Sequence, residues 1–256
     1  MLRRSSIASL TTTIGLLLAG SAAADPGRSA VETGAHASVV APVHPFNVQR
    51  PAGRPKGIVL GLHGGGWRSD PGLVAEYASR VGPHWTARGW VVHSTGYTTG
   101  RRSLADVLAV YDRLKRRYRR VIVTGESAGG HLALMVAARR STPFAVLVEG
   151  AITDPAGPGL RPDLVEGTRE VWGPNLARVS PATLPLRIAP RRVLLSNSVC
   201  DDLVMPTQMR TYRERHPGVR TLRVPCGDTH RYTHRFTTLA GVRALDRLQV
   251  QTVRVR

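Results

Sequence analysis

The pentapeptide Gly125-Glu126-Ser127-Ala128-Gly129 sets a serine between two glycines. The short apolar run Val121-Ile122-Val123-Thr124 precedes it, and the Ala-, Leu- and Met-rich stretch from His131 to Arg139 follows. Such residues favour a helix, whereas the preceding run reads as a buried strand. A G-x-S-x-G segment in that context places the serine on a sharp strand-to-helix turn. Small neighbours are required there because the backbone is tight and adjacent elements approach closely. The N-terminus of the following helix presents N–H groups to developing negative charge. The chemistry such a serine performs is nucleophilic attack on an acyl carbon through a covalent intermediate.

A second segment, His63-Gly64-Gly65-Gly66-Trp67, follows the apolar strand 57–63. Consecutive glycines let backbone N–H groups point at one spot with no side chain in the way, as the oxyanion of a tetrahedral intermediate needs. A phosphate-binding loop of the Walker type would continue with Lys and Ser or Thr, and Trp67-Arg68-Ser69 does not fit. His63 precedes the serine in the chain and is read as a structural brace of the loop.

Together, His63–Trp67 and Gly125-Glu126-Ser127-Ala128-Gly129-Gly130-His131-Leu132-Ala133 resemble the α/β-hydrolase serine esterases, among them the hormone-sensitive-lipase-like, feruloyl-esterase and kynurenine-formamidase-like groups. The likeness continues through Ser180-Pro181 and through Asp201-Asp202-Leu203-Val204-Met205-Pro206-Thr207-Gln208, which resembles the acid loop of those enzymes. The resemblance implies oxyanion donors at the backbone N–H groups of Gly65, Gly66 and Ala128, and a triad in the order Ser, Asp, His. Asp201 matches the Val and Gln spacing of the acid loop. Its proline comes one position late, which keeps Asp202 open, with Asp154 a more distant alternative. His230 stands in the short loop after the strand 219–224, where these enzymes carry their histidine; His234 is the reserve. His216 ends a helix before Pro217-Gly218 and is set aside. One of the two aspartates is expected to cap the helix 206–216. The implied reaction is hydrolysis of carboxylic esters, borne by small molecules or polymers, with no metal or cofactor. An amidase, formamidase or peptidase would use the same residues, and an inactive binding protein would keep the fold without the reaction.

Strands read at 57–63, 90–94, 121–124, 144–149, 192–197 and 219–224 alternate with helices at 70–88, 103–118, 131–139, 206–216 and 237–250. That alternation predicts an α/β fold with a mostly parallel central sheet and helices on both faces. An edge strand is expected at 37–42, and the Pro- and Gly-rich stretch 151–190 is the place for a small cap insertion. Tyr97, Trp67 and the region of Trp172 are candidates to shape the pocket.

The first 24 residues read as a signal peptide: Arg3-Arg4, an apolar run at 14–19, and Ala22-Ala23-Ala24 as the cleavage site. Residues 25–256 then form a single hydrolase domain, exported to the periplasm or the exterior. The apolar run is too short to span a bilayer, so no stable membrane insertion is expected. The two cysteines, Cys200 and Cys226, flank the proposed acid and histidine loops and are expected to pair in an oxidising compartment. The formal charge is +19, nearly all of it arginine. Aromatic residues make up only 5% and no recognition motif accompanies the charge, which excludes a nucleic-acid reader built on stacking.

Overall fold

A computed structural model describes residues 44–226 and 247–253. Among the described residues, seven strands form one sheet in the order β1-β3-β2-β4-β5-β6-β7. They are β1 (Phe46–Gln49), β2 (Ile58–Leu62), β3 (Val91–Thr95), β4 (Val121–Glu126), β5 (Ala145–Glu149), β6 (Val193–Ser198) and β7 (Arg220–Val224). β1 pairs antiparallel with β3, and every other pairing is parallel. The helices are α1 (Pro71–Thr86), α2 (Arg102–Arg117), α3 (Ser127–Arg139), α4 (Pro162–Trp172) and α5 (Pro206–Arg215), and residues 247–253 are helical as well. No helix among the described residues is long and apolar enough to cross a membrane.

The strand sequences explain the layering. β2 is buried at all five positions because both of its faces are covered. Its Ile58, Leu60 and Leu62 join a core cluster with Val107 and Tyr111 of α2, Leu132 and Val136 of α3, and Met209 and Tyr212 of α5. Val59 points the other way, into a smaller cluster with Trp85 of α1, Trp90, Ile122 and Leu147, against which Leu248 and Val253 pack. The period-2 alternation of side chains thus feeds two cores, one on each face of the sheet.

The α/β architecture and six of the seven strands follow the sequence reading closely. The expected edge strand at 37–42 lies outside the described residues; the edge strand that is described is β1. α3 starts at Ser127, four residues before the run of strong helix formers. Gly129 and Gly130 weaken that first turn by propensity, but close packing against the end of β2 and against Ala151 overrides the weakness. The stretch 151–190 contains α4 and the 3-10 turn Leu176–Val179, and a second 3-10 turn, Pro190–Arg192, begins at its last residue. Of the closing helix expected at 237–250, residues 237–246 lie outside the described residues.

Candidate active site

Parallel pairing decides what meets at the carboxyl ends of the strands. Leu62 stands opposite Gly125 in the β2–β4 register, so the loop that leaves β2 at His63 emerges beside the turn that leaves β4 at Ser127. Ser127 has φ 50°, a left-handed conformation that a non-glycine residue adopts only when its surroundings over-determine it. Those surroundings are close-packed backbone. A methyl group on Gly125 would run into Gly129, and one on Gly129 would strike the carbonyls of Leu62 and His63. On Gly64 it would sit 3.4 Å from Ser127 Cβ. The glycine loop and the serine turn are therefore one packed unit.

The loop itself is a run of positive φ angles: Gly65 at 95°, Gly66 at 66° and Trp67 at 58°. Trp67 is held there from both sides. Its carbonyl accepts from Gly100 N–H at 2.9 Å. Its indole N–H donates to Nδ1 of His131 at 3.1 Å. His131 Nε2 in turn donates to the carbonyl of Val179 at 2.7 Å, which fixes the tautomer. Burial lowers the His131 pKa to about 4, consistent with the neutral ring this arrangement needs. His63 braces the loop, as expected. Nδ1 donates to the Gly64 carbonyl at 2.7 Å, the ring stacks on Tyr97 with centroids 4.6 Å apart, and Tyr97 OH donates to the His63 carbonyl at 2.8 Å. Burial lowers the His63 pKa too. Tyr97 is fully buried and belongs to this brace. Trp172 at the end of α4 meets Trp67 edge to face at 5.8 Å, so an aromatic cluster joins α4 to the loop. Ala128 is completely buried in the first turn of α3.

The acid candidates separate clearly. Asp201 follows β6 and is 4% exposed. Its Oδ1 accepts from the N–H groups of Leu203 at 3.1 Å and Val204 at 2.9 Å, a local turn that fixes the carboxylate. β6 lies two strands from β4 in the sheet, so the acid loop leaves the sheet about 10 Å to one side of the serine turn. Asp202 is exposed. Asp154 accepts from Ser180 Oγ at 3.0 Å and from Ala156 N–H at 3.3 Å. Neither Asp201 nor Asp202 caps the next helix: the N-cap of α5 is Met205, with no side-chain bond, and Pro206 at N1 removes one orphan N–H. His216 closes α5 at the opposite edge of the sheet, bonded to the Pro181 carbonyl at 3.1 Å. His230 and His234 lie outside the described residues. Cys200 and Cys226 form a disulfide that ties the acid loop to the residue two places after β7.

A polar cluster beside the serine was not anticipated from sequence. Glu126, next to Ser127, forms an ion pair and hydrogen bond with Arg80 of α1. Glu126 stands opposite Glu149 in the β4–β5 register. Burial, followed by the charge of Glu126, raises the Glu149 pKa to about 8. Arg80 also lies over the ring of Tyr77, whose hydroxyl bonds Thr124 at 3.2 Å.

Residues 59–253 match the family model described as alpha/beta hydrolase family. No curated protein matches the chain. Among solved structures, it is similar to esterase 2 of Thermogutta terrifontis phosphonylated by sarin (TM-score 0.63, 20% identity, covering 80% of this chain and 87% of that one). It is also similar to the Francisella virulence factor BioJ (TM-score 0.63, 18% identity, 81% and 80% covered). A truncated carbohydrate esterase from gut microbiota aligns with a TM-score of 0.60 at 16% identity, covering 82% of this chain and 91% of that one.

Proposed function

The chain belongs to the alpha/beta hydrolase family, and from that premise we propose that it is a serine hydrolase cleaving carboxylic esters through an acyl-enzyme on Ser127. The observation that carries the reading is the strained Ser127 turn packed against a three-glycine loop at the carboxyl ends of adjacent parallel strands. Esterases among the structural neighbours support an ester as the substrate.

In this reading His230 takes the proton from Ser127 Oγ as the oxygen attacks the ester carbonyl. Asp201 orients the imidazole and stabilises its cation. The N–H groups of Gly65, Gly66 and Ala128 receive the oxyanion. The tetrahedral intermediate collapses, the alcohol leaves with the proton from His230, and water then attacks the acyl-enzyme by the reverse sequence. α4 acts as the small cap, its Trp172 reaching the loop through Trp67. Residues 1–24 direct export, and the disulfide suits an oxidising compartment.

The test is turnover of p-nitrophenyl acetate, butyrate and octanoate by the parent and by Ser127→Ala. We expect hydrolysis that the substitution abolishes, and labelling of Ser127 by a fluorophosphonate probe. A folded parent that neither turns over nor takes the label would overturn the reading in favour of a binding protein on the same fold.

A further inference from the structure

A parallel sheet sorts charge as well as apolar residues. Each helix returns the chain from the carboxyl edge to the amino edge, so residues just after a helix or just before a strand arrive on one face. Here those junctions are basic. Arg116 and Arg117 end α2, Arg119 and Arg120 lead into β4, and Arg191 and Arg192 lead into β6. Arg116, Arg117, Arg119 and Arg191 are exposed, and none of the six forms an ion pair among the described residues. The last turns of α2, α3 and α5 all carry arginine. The helix dipole favours cations there, but it gives no reason for arginines in the loops ahead of the strands.

Among the described residues, Asp112 and Glu214 near this face are already engaged. Asp112 is held by Arg140 through two bonds of 2.8 and 2.7 Å, and Glu214 lies 4.0 Å from Arg210. At the centre, Arg120 and Arg192 both lie over the ring of Phe144, their guanidinium carbons 5.4 and 5.5 Å from its centroid. One ring therefore holds two like charges side by side, and a ring contact consumes none of their N–H donors.

We propose that this face, at the end of the sheet opposite Ser127, binds the surface of an anionic phospholipid membrane. The basic side chains spread in two dimensions, along the row of strand ends and outward to the helix ends. That layout matches a plane of phosphates better than a single threaded chain. Guanidinium forks suit phosphate oxygens. Among the described residues, the large exposed apolar side chains, Phe46, Val48, Val199 and Met205, lie on the edge strand or around the 199–205 loop, so the attachment we propose is electrostatic and without insertion. Docked this way, the serine turn faces away from the lipid.

The experiment is co-sedimentation of the full chain with vesicles of phosphatidylcholine alone and of phosphatidylcholine with phosphatidylglycerol, across a salt series. Arg119→Gln/Arg191→Gln is compared with the charge-matched pair Arg161→Gln/Arg169→Gln, at the N-cap and in the last turn of α4, at the other end. We expect salt-sensitive binding to the anionic vesicles, weakened about 30-fold by the first pair and little by the second. Ser127→Ala should bind like the parent, which keeps this outcome separate from that of the hydrolase test. Equal loss in both pairs would assign the attraction to net charge and overturn the face. Equal binding to both vesicle types, no binding, or preference for duplex DNA over anionic vesicles would overturn the proposal.

Discussion

The indole N–H of Trp67 donates to Nδ1 of His131 across 3.1 Å, joining the glycine loop to the helix that begins at Ser127. The bond holds a bulky residue at φ 58° and so sets the orientation of the two glycines before it. Trp67→Phe keeps an aromatic ring but removes the donor, leaving Nδ1 of the buried His131 unpaired at a cost of about 1–3 kcal/mol. We expect a lower Tm and a kcat on p-nitrophenyl butyrate reduced by about tenfold, with KM nearly unchanged, because donors misaligned for the oxyanion affect the transition state most. A loss confined to KM would place Trp67 in substrate binding instead.

Two glycines beside Ser127 should fail in different ways. Ala at Gly125 would press a methyl group into the backbone of Gly129 and Gly130, which has nowhere to move. Gly125→Ala is expected to lose several kcal/mol of stability, or to fail to fold, as thermal unfolding would show. At Gly64 the added methyl meets Ser127 Cβ and Glu126 Cγ, each at 3.4 Å, within reach of a small adjustment. Gly64→Ala should therefore fold with a near-parental Tm and lose turnover. Equal Tm losses in the two variants would contradict this division.

The acid can be assigned by a matched pair. Asp201 is buried and fixed by two backbone N–H groups, whereas Asp202 is exposed. Asp201→Asn should lower kcat by about 10³- to 10⁴-fold, the scale seen when a triad carboxylate becomes an amide. Asp202→Asn should stay within about threefold, as a surface change away from the chemistry. Reversed magnitudes would move the role to Asp202.

Much of this site was legible because its signals are local. The buried strands read as short apolar runs, and the serine turn and glycine loop announce themselves in five residues each. One of Asp201 and Asp202 is expected from sequence to cap α5, and neither does, because Pro206 lets the helix start without a side-chain cap. Propensity alone starts α3 late, at His131, because it counts against Gly129 and Gly130, whereas close packing demands them. What sequence hid were bonds across long separations: Trp67 to His131 spans 64 positions, and Arg80 to Glu126 spans 46. The basic face was hidden for a related reason. The arginine clusters at 116–120 and 191–192 become neighbours only once parallel strand direction brings both to the same edge.

The disulfide makes a separate prediction about rigidity. Cys200 and Cys226 are 26 positions apart and close a loop containing the whole of α5 and β7. Cross-linking a loop of that length is worth about 3–4 kcal/mol by the chain-entropy argument. Cys200→Ser/Cys226→Ser should lower Tm by several degrees and reduce kcat, since Asp201 adjoins Cys200. Reduction of the parent by dithiothreitol should reproduce both effects. An unchanged Tm and kcat after verified reduction would remove the bond from any role in stability or in holding the acid loop.

Glu149 predicts how stability changes with pH. Its pKa rises from 4.5 to about 8, first through burial and then through the facing charge of Glu126, with Arg80 opposing the shift. The native state therefore holds a proton on Glu149 that the unfolded chain releases at lower pH. Stability from this group is fully present below the unfolded value and declines as pH rises toward the native one. The parent should lose more Tm between pH 5 and pH 8.5 than Glu149→Gln, which keeps the neutral shape and cannot ionise. Near pH 5 the two proteins should melt alike, and at the upper end the variant should be the more stable. Parallel Tm curves across that range would mean that Glu149 is ionised in the native protein, with Arg80 serving both carboxylates.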